Sequence, residues 1–156
     1  MEKETIKKIF DFLEENGEHN APLMWKLKNN EPITEDDLIV NGDLNLGHSK
    51  ITSLPEGLEV GGFLDLSYSL INSLPEGLKV GGSLSLFDCA IITSLPEGLK
   101  VGRNLDLGFT KIISLPRGLK VEGFIDLNGT KLTEYTDDEL RKMIKPGYIK
   151  GRIIKV

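Results

Sequence analysis

The sequence predicts a repeat solenoid, one apolar core shared by stacked coils of about 20 residues. Three observations carry this. Ser-Leu-Pro recurs with its proline at Pro55, Pro75, Pro96 and Pro116, at intervals of 20, 21 and 20 residues. The segments that follow nearly repeat one another: LEVGGFLDL (58–66), LKVGGSLSL (78–86), LKVGRNLDL (99–107) and LKVEGFIDL (119–127), with LIVNGDLNL (38–46) as a first copy that lacks the preceding SLP. Both ends of the chain depart from the repeat, as the caps of an array must.

In chain order, residues 3–16 read as an amphipathic helix. Ile6, Ile9, Phe10 and Leu13 follow the i, i+3, i+4, i+7 spacing, and Gly17 is a stop. Ala21–Asn29 reads as a second short helix, with Trp25 beside Leu23, Met24 and Leu27 covering the first coil. Within a repeat, Leu105-Asp106-Leu107 alternates apolar and polar residues, the period of a half-buried strand. Leu99 and Val101 form a second extended piece, and pairs such as Gly61-Gly62 and Gly81-Gly82 supply the turn between the two. The proline of SLP keeps a helix from growing backwards through the closing segment. After the repeats, Thr136 and Glu139 form a T-x-x-E capping box ahead of LRKMI, Pro146-Gly147 ends that helix, and YIKGRIIKV reads as a strand or hairpin. The expected organisation is a helical N-terminal cap over 1–36, five coils over 37–135 and a mixed cap over 136–156, all one folding unit.

The pattern L-x-L-x-x-(N/T/S/C)-x-(L/I)-x-x-L-P resembles the leucine-rich repeat in its short form of about 20 residues. It is similar to repeats of bacterial effectors and of bacterial and phage repeat proteins. The resemblance implies one parallel β-ladder, a short non-helical convex side, and an internal polar position whose side chain serves the backbone of neighbouring coils. Ser49, Ser69, Cys89, Thr110 and Thr130 fill that position here, where the family has Asn. A parallel β-helix with two or three short strands per coil is the alternative cross-section.

Composition limits the function classes. The 156 residues form one domain's length and need no metal or disulfide to fold. MEKETIKKIFDFLEENGEH is too charged for a signal peptide, and no apolar run approaches a membrane span. The lone Cys89 makes no internal disulfide, so a reducing, cytoplasmic setting is expected. Net charge is −5: −4 over residues 1–36, −4 over 37–130 and +3 over 131–156. An acidic body argues against nucleic acid as the direct ligand. The basic tail reads as a solvated end strand with gatekeeping lysines.

Hydrolytic chemistry needs a nucleophile with a base in reach. The histidines are His19 and His48. His48 lies two coils from Cys89, about 10 Å at the usual strand spacing, too far for a pair. No zinc set, GxxxxGK[ST] or GxGxxG is present, so the expectation is no enzyme, no metal and no cofactor.

With the L-x-L leucines inward, the alternating residues form one outward face. Asp65, Asp106 and Asp126 share its strand column, with Asp43 and Asp88 flanking. Phe63, Tyr68, Phe87, Phe109 and Phe124 point outward on or just after the strands, and His48 belongs to the first coil. No Lys or Arg occurs among these outward positions. The plain reading is a solvated sheet whose aromatics follow strand propensity. The functional reading is a protein-binding face formed by His48, Phe63, Asp65, Tyr68, Phe87, Asp88, Asp106, Phe109, Phe124 and Asp126. It would engage a basic protein or peptide, because arginine can stack on rings and pair with carboxylates at once. The family resemblance adds a bacterial or phage protein that acts on or inhibits a host factor. A monomer is expected. Other readings are an acidic nucleic-acid mimic, a carbohydrate binder, and a structural or assembly unit pairing through YIKGRIIKV.

Overall fold

The computed structural model describes residues 3–5, 7, 8, 11 and 23–156. The chain winds into a β-solenoid with two parallel sheets of six two-residue strands each. One, the L-x-V sheet, contains β1 (Ile39–Val40), β3 (Glu59–Val60), β5 (Lys79–Val80), β7 (Lys100–Val101), β9 (Lys120–Val121) and β11 (Tyr148–Ile149). The other, the L-x-L sheet, contains β2 (Leu44–Asn45), β4 (Leu64–Asp65), β6 (Leu84–Ser85), β8 (Leu105–Asp106), β10 (Ile125–Asp126) and β12 (Ile153–Ile154).

The leucine-rich reading expects one ladder, and the chain forms two. The physical reason lies in Leu-x-Val, which has the strand period just as Leu-x-Leu does: Leu99 and Val101 point inward and Lys100 outward. The tight turn that follows sets both strands of a coil in register with the next coil. Two short strands per coil match the β-helix alternative.

Register makes columns. Leu44, Leu64, Leu84, Leu105 and Ile125 stack in one, and Val60, Val80, Val101, Val121 and Ile149 in another. Both columns are buried, as are Ile71, Ile92, Ile112 and Leu132 on the closing segment, so the stacked coils share one continuous core. Backbone bonds join the coils: Leu64, Leu66 and Tyr68 N–H donate to the Ser83, Ser85 and Phe87 carbonyls at 2.9 Å, and the pattern repeats along the axis.

The internal polar position is buried as the resemblance implies, but its bonds mostly stay within one coil. Thr110 and Thr130 hydroxyls donate 2.7 Å to the carbonyls of Leu107 and Leu127, three residues back, and Ser49 does the same to Leu46. The link between coils is made by Ser69 and Cys89: the Cys89 thiol donates to the Leu66 carbonyl at 3.0 Å and lies 3.7 Å from the Ser69 hydroxyl. Burial, the largest influence, pushes this thiol's pKa up. Native Cys89 is therefore expected to react with an aromatic disulfide reagent at least ~100-fold more slowly than in denaturant. Equal rates would mean that the coil opens readily.

The ends differ from expectation in instructive ways. YIKGRIIKV is neither a lone strand nor a hairpin. Tyr148–Ile149 pairs in parallel with β9 and Ile153–Ile154 with β10, so the segment is a sixth rung. The capping box forms: Glu139 N–H donates to the Thr136 hydroxyl at 3.2 Å, and the Glu139 carboxylate accepts the Thr136 N–H at 2.8 Å. It starts a helix over Asp137–Met143, whose Arg141 donates to the Ile149 and Gly151 carbonyls and so ties helix to rung. A Cβ on Gly147 would lie 2.0 Å from the Leu119 carbonyl oxygen and 2.8 Å from that of Ile144. Gly147→Ala should cost about 1–3 kcal/mol and lower the thermal midpoint by several degrees; an unchanged midpoint would show that the cap yields freely.

At the other end, α1 spans Leu23–Asn29, with Leu23 in the core and Trp25 half-buried. Lys26 of α1 is buried against Asp37. Of the expected helix over 3–16, residues 3–5, 7, 8 and 11 are helical; Ile6, Ile9, Phe10, Leu13 and Gly17 lie outside the described residues. No helix among the described residues is long and apolar enough to cross a membrane.

Candidate functional site

The outward face of the L-x-L sheet divides into three parts. The first is the strand column Asn45, Asp65, Ser85, Asp106 and Asp126. Its side chains have a local job. Oδ1 of Asn45, Asp65, Asp106 and Asp126 accepts the backbone N–H two residues on, at 2.9–3.0 Å, in the manner of an Asx turn. Each bond helps turn the chain at the corner after the strand. Asp106 and Asp126 face each other in register with no base on the face between them. Burial, and to a lesser degree the Asp126 charge, raises the pKa of Asp106 against the pull of the Gly108 N–H.

The second part is the corner itself. His48, Tyr68, Asp88 and Phe109 have φ of 54°, 58°, 51° and 57°, and the fifth coil uses Gly129 at 69°. Non-glycine residues at such angles are strained, bulky ones most. The corner carries an aromatic ridge. His48 stacks on Tyr68 with centroids 4.6 Å apart and planes 10° apart. Tyr68 meets Phe87 edge-on at 5.5 Å, and Phe87 meets Phe109 at 5.4 Å. Tyr68 and Phe109 remain about half exposed, at 47% and 55%. Gly108 and Gly129 make room for the ridge, since a Cβ at either would press on the Phe87 or Phe109 ring.

The third part is a notch of about 350 Å³, lined by Phe63, Ser83, Ser85, Asn104, Asp106 and Phe124 together with Leu84. Phe63, Ser83, Asn104 and Phe124 occupy one column, each just before its strand, so the two rings stand roughly 14 Å apart along the axis with small polar residues between them. The floor is braced: Ser83 Oγ accepts the Asn104 N–H at 3.2 Å and Asn104 Oδ1 accepts the Phe124 N–H at 3.1 Å.

The ten residues singled out from sequence therefore do not form one cluster. His48, Tyr68, Phe87 and Phe109 come together as the ridge. Phe63, Asp106 and Phe124 belong to the notch, and Asp65 and Asp126 flank it in the strand column. Asp88 is exposed at the corner, outside the run of ring contacts. Ser83, Ser85 and Asn104 lie on the outward face that alternation predicts but were not among the ten. Reading the coils vertically would have found them, because only there does the Phe-Ser-Asn-Phe column appear.

The strand lysines of the repeats lie on the other sheet, while the sixth rung sets an exposed Arg152 beside Phe124 on the L-x-L face. On the L-x-V sheet Lys79, Lys100 and Lys120 are in register, continued by Glu59 at one end and Tyr148 at the other. Lys79 pairs with Glu59, while Lys120 and Lys150 lie 6.0 and 5.4 Å from the Tyr148 ring centre. Among the described residues no group of three or more His, Cys, Asp or Glu is placed to hold a metal ion.

In comparisons with protein-family models, curated proteins and solved structures, nothing matches this chain.

Proposed function

We propose that the chain is a non-enzymatic protein-binding module that engages a basic protein or peptide on its L-x-L face. The observation that carries this reading is the ridge of His48, Tyr68, Phe87 and Phe109: His48, Tyr68 and Phe109 are exposed on left-handed backbone where glycine would be relaxed, and the half-buried Phe87 ring links Tyr68 to Phe109. Exposed aromatics rimmed by polar groups mark interaction sites, and aromatics supply much of the energy at interfaces. The acids around the ridge, with the lysines on the other sheet, favour a basic partner and steer it. The carboxylate column speaks against mimicry of nucleic acid, because Asp65, Asp106 and Asp126 are committed to turn bonds and are too few for a phosphate-like array. We read the repeat as a variant of the short leucine-rich type with a second strand per coil. Its setting would be the cytoplasm of a bacterium or of an infected or host cell, where the protein acts by occupying a surface of its target.

The test is capture from source-cell and host-cell lysate by wild type and by a variant with Tyr68→Ala, Phe87→Ala and Phe109→Ala, both shown by circular dichroism to fold alike. A basic partner retained by wild type, weakened by salt and lost by the variant is the expected result. A partner that the variant holds equally well would move the site off the ridge.

A further inference from the structure

The notch beside the ridge has the chemistry to choose a particular side chain. Its walls are two phenyl rings, its floor is hydroxyl, amide and carboxylate, and none of its lining residues is basic. Asp106 accepts the Gly108 N–H on Oδ1 alone and lines the notch, so its carboxylate keeps acceptor capacity for a donor there. Directly beside it in register is Asp126, and adjacent like charges on one sheet face repel unless a cation is shared between them. A neutral sugar could stack on the rings but would leave that repulsion in place. An ammonium would answer it but is compact, strongly hydrated and a poor match to flat walls. A guanidinium is planar, weakly hydrated and forked, so one group can lie on a ring and donate to a carboxylate together.

We propose that the notch between Phe63 and Phe124 takes one arginine side chain of the partner, with its guanidinium held by the Asp106 carboxylate. This rests on the partner-binding reading above and narrows it. The ridge supplies general apolar contact, and the notch selects the residue that enters. Asp126, in register with Asp106, adds to the negative field that draws the guanidinium in. Ser83 and Asn104 matter because they are small, since a phenylalanine at either position would close the gap between the rings.

The experiment is a titration of the isotope-labelled full chain, followed by amide NMR, with acetyl-Gly-Arg-Gly-amide. The same peptide carrying neutral citrulline and a set of methyl glycosides are titrated in parallel. The expected result is saturable shifts at Phe63, Ser83, Ser85, Asp106 and Phe124 with the arginine peptide, and at least about tenfold weaker binding with citrulline. Asp106→Asn keeps an oxygen for the Gly108 N–H and should weaken arginine binding by a similar factor; Phe63→Ala should do so through the wall, without touching the turn. Equal binding of citrulline, shifts produced by a glycoside instead, shifts confined to other residues, or no shifts at all would each overturn the proposal. Failure here is separable from failure of the partner-binding reading. If a variant with Phe63→Ala and Phe124→Ala keeps the captured partner that the ridge variant loses, the ridge stands and the notch does not.

Discussion

Leu105→Ala is expected to lower stability by about 3–4 kcal/mol and the thermal midpoint by roughly 10 °C. Leu105 has no exposed surface and lies in the fourth of six strands of its sheet, stacked between Leu84 below and Ile125 above. Truncation removes contacts to both neighbours at once. The coils cannot close over the void, because the ladders of backbone hydrogen bonds fix their spacing at about 4.8 Å. The same change at Leu44 should cost less, since Leu44 is in the first strand and has one neighbour in the column. Urea unfolding of the two variants measures the difference. A loss below about 1 kcal/mol at Leu105 would show that the coils do slide together.

Asp37→Asn is expected to cost about 3 kcal/mol or more, in the range for breaking a buried ion pair. Lys26 Nζ lies 3.0 and 3.1 Å from the two Asp37 oxygens, and the side chains are only 6% and 4% exposed. Asp37 Oδ2 also accepts the Thr34 N–H at 2.7 Å and its hydroxyl at 2.9 Å. The substitution removes a counter-charge from Lys26 and weakens the start of the short helix over Glu35–Leu38 in one step. Burial alone would raise the Asp37 pKa, but the bonds from Thr34 and Lys26 outweigh it and hold the carboxyl below its ordinary value. A lowered folded pKa means that this stabilisation is complete above the unfolded value, near 3.9, and is lost as pH falls through the folded one. Wild type should therefore lose its advantage over Asp37→Asn below about pH 4. A gap between the two proteins that did not change with pH would contradict the charged pair.

Much of this fold was legible because the repeat writes the same side-chain pattern five times, and a fixed period forces stacking. Leu-x-Leu and the buried Ser, Thr and Cys positions were read at the right depth. Leu99 and Val101 were read as extended, yet a second full ladder was expected only in the β-helix alternative, because two residues per strand carry almost no period of their own. The sixth rung escaped for a different reason. The helix over Asp137–Met143 sets it 28 residues after its partner Ile125, and lysines and arginine hide the likeness of IKGRII to VEGFID. At the site, outward placement of the acids and aromatics followed from alternation alone. The Asx turns made by Asp65, Asp106 and Asp126 did not, since they depend on where the chain goes after the strand. Nor did the separation of ridge from notch, which compares residues about 20 apart rather than neighbours.

The corner is also where drift would show first. The fifth coil meets this turn with Gly129, whereas four successive coils hold His48, Tyr68, Asp88 and Phe109 there. Left-handed backbone costs an ordinary residue about 1–2 kcal/mol, so Tyr68 and Phe109 hold this corner at a cost to the fold, and His48 and Asp88 at a smaller one. In a lineage that no longer used the ridge, random substitution toward glycine or asparagine at His48, Tyr68 and Phe109 would be favoured by folding. The corner should then erode before the buried leucines do, and a descendant with an intact core and a glycine-lined edge would be the mark of a lost partner.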